Sequence, residues 1–316
     1  MTIVSRNMKP TRFGFGEGLV IAGKRNTNLV CLGADITSSV SLNYFSEKFP
    51  ERFFSMGIAE QNCVSVLAGL ALSGKIPVFS TYAVFAALRT TDQIRVSLCY
   101  NNLHAIIGGA HAGISVGPDG ATHQALEDIA IMRALPNITV LSPCDSTQTK
   151  KLTIAAIEQC KGPVYIRFGR EAVPDFTDEN ETIKIGKGQT LLEGNDISII
   201  ATGHMVWEAI EAARILKKEG ISIRVINIHT IKPIDEEIII KAARETKGII
   251  SCEEHQISGG LGSAIAEVLV KNHPTKMEFI GMNDCFGQSG SPAELMNYYK
   301  LTAKHIAEQC RKFLNK

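Results

Sequence analysis

Twice along this 316-residue chain, short apolar runs alternate with amphipathic stretches, and one interruption separates the two series. In the first series, Asn28–Asp35 and residues 75–81, 103–108, 138–143 and 163–168 read as strands. Residues 11–24, 83–99, 124–133 and 146–159 carry helical spacing between them, with Thr11 as a candidate cap. Strands that are apolar on both faces need cover on both faces, and intervening helices supply it. The pattern therefore predicts an α/β fold with a doubly wound, mostly parallel sheet. The alternation stops over residues 171–188, which hold Pro174, an acidic run from Asp178 to Glu181, Gly186 and Gly188. It resumes with strands at 197–203, 222–228, 248–252 and 277–282, and helices at 205–219, 262–270 and 301–313, Trp207 packing on the first of these. The expectation is a first domain at 1–175, a linker at 176–190 and a smaller α/β domain at 191–316.

Composition narrows the function classes. The formal net charge is +1, so no electrostatic footprint for nucleic acid or a membrane surface is present. No apolar run is long enough to cross a bilayer. The eight cysteines form no Cys-x-x-Cys pair and lie mostly in apolar runs, which predicts free thiols in a reducing compartment and no metal site. Met1–Arg6 lacks the apolar core of a secretion signal, and the expected location is cytoplasmic.

One acid stands out. Glu60 heads an apolar, small-residue run, Cys63–Leu72, that reads as a buried helix. Burying an ionised carboxylate costs several kcal/mol, so such a group either pairs or takes up a proton. Glu60 is open to two readings: a helix cap complementing the dipole, or a functional acid in an apolar site.

Further polar groups fall at predicted strand ends, where ligands bind in open α/β sheets. They are Asp35, Ser38, Ser39, Tyr82, Phe85, His111, Asp119 and His123. Taken alone, Tyr82 and Phe85 also suit a packed core. His111 and His123 bracket a glycine-rich loop holding Gly113, Gly117 and Gly120, with no tight metal-ligand pair beside them. Gly259-Gly260-Leu261-Gly262 opens a helix and suits either an anion site or close packing.

Four segments in this order resemble the transketolase family: Gly57-Ile58-Ala59-Glu60-Gln61-Asn62, Gly117-Pro118-Asp119-Gly120-Ala121-Thr122-His123-Gln124, Ala134-Leu135-Pro136-Asn137, and Glu253-Glu254-His255 with Gly259–Gly262. The resemblance runs from about Arg12 to the C-terminus and covers the family's pyrimidine-binding and C-terminal domains. It is similar to the C-terminal subunit of a transketolase split into two chains. It implies thiamine diphosphate as cofactor, with Glu60 bonding the aminopyrimidine and favouring the tautomer that deprotonates the thiazolium carbon. It further implies Phe85 and Tyr82 against the pyrimidine, Asp35 near the cofactor, and Asp119 and His123 on donor-sugar hydroxyls, His123 also moving protons. Arg12, Ser39, His111 and Arg170 match phosphate-end contacts.

The sequence departs from the family at Pro118, where an acid is common, and at Leu88 and Arg89, where a further aromatic is common. It also lacks the Gly-Asp-Gly motif with a following asparagine that holds diphosphate and metal. The resemblance therefore implies an N-terminal partner subunit holding Mg2+ or another divalent ion, in a heterotetramer of two of each chain. The expected reaction is transfer of a two-carbon ketol unit from a ketose phosphate to an aldose phosphate. Alternatives are the beta subunit of a 2-oxo acid dehydrogenase, a split deoxyxylulose-phosphate synthase, or a catalytically silent binding partner. Pentose phosphates, an apiose-derived ketose phosphate and a sulfonated sugar all remain open as substrates.

Overall fold

The computed structural model describes residues 3–315. Strand β1 (Asn7–Pro10) leads into helix α1 (Thr11–Arg25), followed by β2 (Leu29–Gly33), helix α2 (Asn43–Lys48), β3 (Phe53–Ser55), helix α3 (Glu60–Leu72) and β4 (Ile76–Tyr82). Then come β5 (Ile106–Ala110), β6 (Thr139–Leu141) and β7 (Val164–Arg167), and β8 (Ala172–Asp175), which pairs antiparallel with β1. The second half carries β9 (Gln189–Leu192), β10 (Ile197–Ala201), β11 (Ile223–Asn227), β12 (Thr230–Lys232), β13 (Ile249–Gln256) and β14 (Met277–Met282).

A seven-stranded sheet runs in the order β12-β6-β7-β5-β4-β2-β3, and a five-stranded sheet in the order β14-β13-β10-β11-β9. Pairing in these two sheets is parallel except where β12 meets β6 and β9 meets β11. Every residue of β2, β5, β10 and β11 is buried, as their unbroken apolar runs require of strands covered on both faces. The expected α/β architecture is therefore the observed one. Strand β12 was not foreseen: a segment of the second half closes an edge of the first sheet.

Local details depart from expectation for identifiable reasons. Thr11 is not a cap, because Pro10 holds the cap position and the Thr11 hydroxyl accepts from Gly169 N–H at 2.8 Å. Residues 83–99 are not one α-helix. Phe85–Arg89 and Ile94–Cys99 are π-helical around a short α segment, Thr91–Gln93. The Thr90 hydroxyl donates to the Ala86 carbonyl at 2.6 Å, and that of Thr91 bonds the Ala87 carbonyl. Such side-chain bonds compete with the regular ladder. The helix expected from residue 124 begins only at Asp128, because Gln124 is committed to the loop before it. Part of the expected break at 171–188 is strand β8.

The two halves share a buried polar seam. The Arg167 guanidinium donates to Asp128 (2.9 and 3.2 Å), to the Ala125 carbonyl (3.2 Å) and to the Glu254 carbonyl (2.8 Å). Tyr165 donates to Asp128 at 2.8 Å, and its ring lies where a Cβ on Gly109 would meet the hydroxyl at 2.1 Å, so β5 must carry glycine there. Glu254 accepts from Ser115 N–H at 2.5 Å and pairs with His204 at 2.8 Å. Burial works against both charges, yet each partner prevails: Glu254 is held below the usual carboxylate range and His204 above the usual histidine range.

Candidate active site

Parallel strands place their carboxyl ends along one sheet edge, and the chain spends its polar side chains there. Asp35 and Ser39 follow β2, Glu60 follows β3, Tyr82 ends β4, His111 follows β5 and Arg170 follows β7.

Glu60 is 3% exposed and opens helix α3. It is paired, not capping: both carboxylate oxygens accept from Nη1 of Arg89 at 2.9 Å. The Arg89 guanidinium also lies 4.2 Å from the centre of the Phe85 ring. Arg89, noted in the sequence only as a missing aromatic, is thus the residue in contact with the singled-out acid. Four rings gather beside this pair. Tyr82 and Phe85 stack with centroids 6.0 Å apart, and both stay half-buried, so neither is simply core. His111 lies flat on Tyr82 at 4.3 Å, while His123 meets Tyr82 and Phe85 edge-on at 6.0 and 5.4 Å.

A cationic cluster adjoins the rings. Arg12 donates to the Ser39 carbonyl at 2.9 Å and approaches His111 Nε2 at 3.3 Å. Burial first, then the charges of Arg12 and Arg170, push His111 down to about 4, so its imidazole is neutral. Its Nδ1 is buried without a partner, as is Nε of Arg12. Burial, then the neighbouring charge of Arg170, likewise lowers the Arg12 pKa. Arg170 donates to Asp119 at 3.1 Å and lies 3.9 Å from Glu171. Thus Arg12, Ser39, His111, Asp119 and Arg170 converge from separate segments, as the resemblance implied.

Other expectations are placed differently. Ser39 enters through its carbonyl. Asp35 is exposed in a left-handed conformation (φ 64°), outside this hydrogen-bonded cluster among the described residues. The Gly117–Gly120 segment is a turn pinned by Gln124, whose amide donates to the carbonyls of Ile114, Gly117 and Gln288. The helix that starts at Leu261 binds the chain's own Glu253, which accepts from the N–H groups of Leu261 (2.7 Å) and Gly262 (2.8 Å). A Cβ on Gly260 would lie 2.0 Å from that carboxylate, so the glycines serve close packing. Burial nonetheless pushes Glu253 up to about 7. Among the described residues, no group of three or more His, Cys, Asp or Glu is arranged to hold a metal, and no helix is long and apolar enough to cross a membrane. Cys285 is exposed and Cys160 half-buried, while the other six thiols are buried, all free.

The fold and this edge define an α/β protein with a partly open cleft built for a planar ring beside an anion. The family model for the transketolase pyrimidine-binding domain matches residues 7–175, and that for the transketolase C-terminal domain matches residues 186–306. A putative transketolase C-terminal section from Methanocaldococcus jannaschii is 45% identical over the whole of both chains. One of the two subunits of an apulose-4-phosphate transketolase from Phocaeicola vulgatus is 37% identical, covering 99% of this chain and 100% of the relative. A solved split-gene transketolase, described as an inactive tetramer of beta chains, superposes with a TM-score of 0.91 at 45% identity, over 97% of this chain and 99% of that one. The chain belongs to the transketolase family.

Proposed function

We propose that this chain is the C-terminal subunit of a two-chain, thiamine diphosphate-dependent transketolase, which moves a two-carbon ketol unit from a ketose phosphate to an aldose phosphate. The carrying observation is Glu60: a buried carboxylate at the head of α3, beside half-buried Phe85 and Tyr82, at the ligand-binding edge of the sheet. These groups suit an aminopyrimidine, which offers a flat face for stacking and ring nitrogens in its plane. The orphaned Nδ1 of His111 provides a further polar atom in the same cleft. The bound cofactor supplies a nucleophilic carbon and an electron sink.

The chain's own residues then have distinct roles. Glu60 holds a proton at the pyrimidine. His123 lies edge-on to Phe85 and moves protons to and from sugar oxygens. Asp119 accepts from a sugar hydroxyl. Arg12 and Arg170 bind the terminal oxyanion, and neutral His111 donates or accepts without adding charge. Asp35 has the weakest support, since it stands outside the cluster.

The diphosphate and its divalent ion belong to an N-terminal partner subunit in this reading, in a heterotetramer of two of each chain. Ile58 (75% exposed) and Leu88 (47%), close to Glu60 and Arg89 in the chain, with Tyr100 (85%), offer apolar surface for that partner. The similar split-gene protein, described as inactive when made of four beta chains, supports the same dependence. The test is reconstitution. The isolated chain should bind thiamine diphosphate weakly and turn nothing over, and adding the partner with Mg2+ should restore both. Tight stoichiometric binding by the lone chain, or no ketol transfer by the assembled pair, overturns the reading.

A further inference from the structure

We propose that Arg89 is an internal ligand of the pyrimidine subsite, filling it in the uncombined chain and yielding it to a planar aminopyrimidine. The inference rests on the reading of Glu60 and Phe85 given above. A guanidinium is flat, donates hydrogen bonds in its plane and presents a face for stacking. Arg89 uses both properties at once: Nη1 binds the two oxygens of Glu60 at 2.9 Å, and the guanidinium carbon sits 4.2 Å from the centre of Phe85. An aminopyrimidine bound to the same carboxylate and stacked on the same ring needs the same two contacts. Tyr82 and His123 already lie against Phe85, stacked at 6.0 Å and edge-on at 5.4 Å. The ring side covered by Arg89 is the one left for a flat ligand.

The exchange is physically accessible because the pair is lopsided. The Glu60 side chain is 4% exposed and that of Arg89 39%. Arg89 can swing into water at small cost, whereas Glu60 left bare would be a buried, unpaired carboxylate. The internal ligand thus keeps Glu60 partnered until a ring displaces it. Thr90 and Thr91, bonded back to the carbonyls of Ala86 and Ala87, hold the backbone beside Arg89, so the movement is confined to its side chain.

The test uses the isolated chain and a free aminopyrimidine without thiazole or diphosphate, namely 4-amino-5-hydroxymethyl-2-methylpyrimidine, titrated by calorimetry or NMR. Arg89→Ala and Arg89→Met, the latter keeping an apolar stem over Phe85, should each bind the probe about tenfold more tightly than the wild type. Unchanged or weaker binding, or no binding by any form, overturns the inference. In the wild-type chain labelled with 15N-arginine, probe binding should move the Arg89 guanidinium signal, and an unmoved signal counts against it even where a variant fails to fold. The cofactor reading is tested separately by thiamine diphosphate binding to the wild-type chain with its partner and Mg2+. Failure there removes the cofactor reading, whereas success there without a gain in the Arg89 variants removes only the internal ligand.

Discussion

Arg170 donates to Asp119 at 3.1 Å, so two residues assigned to opposite parts of a sugar phosphate are each other's partner. Both side chains are about one-third exposed, which makes this a screened, separable pair. Glu171 at 3.9 Å is the lesser contact of Arg170. Asp119 therefore holds Arg170 over the cleft, and an incoming oxyanion competes with it for the same guanidinium.

For Arg170→Ala in the assembled enzyme, the expected result is a Michaelis constant for phosphorylated sugars raised by about ten- to a hundredfold, as loss of one charge-assisted contact implies. Turnover should fall less, and non-phosphorylated analogues should be nearly indifferent. Steady-state kinetics on both substrate types decides. An equal effect on both would mean that Arg170 only pairs with Asp119 and Glu171.

Glu60→Gln retains size and an acceptor for Arg89 but cannot exchange a proton. Turnover by the reconstituted pair should fall by roughly 10²–10⁴-fold. Stability should change by about 1 kcal/mol or less, because the arginine it faces is partly solvated. Activity and thermal unfolding measured on the same preparation separate the roles. A variant that melts early yet retains turnover would make Glu60 structural.

His111 provides a pH signature. Its folded value of about 4 lies below the ordinary 6.5, so the folded chain keeps it neutral where the unfolded chain takes a proton. Its contribution to stability is complete above pH 6.5 and is lost as pH falls from there through the folded value. A neutral His111 also means that affinity for a sulfonated sugar, whose charge is fixed, should stay flat from about pH 5.5 to about pH 8. Affinity that declines through the ordinary histidine range would show His111 acting as a cation.

Arg167→Met removes the cation from a buried Asp128 and strips hydrogen bonds from the carbonyls of Ala125 and Glu254. Breaking one side of a buried pair costs about 3–5 kcal/mol. Urea unfolding should show that loss. A change below about 1 kcal/mol would mean the seam between the halves is not held by this residue.

The β-α alternation made the architecture legible because strand burial is a local property of an apolar run: β2 from Leu29 to Gly33 and β10 from Ile197 to Ala201 are buried throughout. Glu60 was legible for the related reason that a carboxylate heading a buried helix needs a partner. Its partner was not. Arg89 lies 29 positions away on a π-helical stretch, and no helical spacing points from one to the other. The edge position of β12 was equally hidden, since it joins segments distant in sequence, and so was the capture of the Leu261–Asn272 helix N-terminus by Glu253. Sequence alone determined which segments are buried, where the polar groups fall and which family motifs they form. Tertiary structure decided the pairings: Glu60 with Arg89, Asp119 with Arg170, and His111 neutral beside Arg12. Burial follows from composition along the chain, but charge state and partnership depend on distance and desolvation, which exist only once the chain has folded.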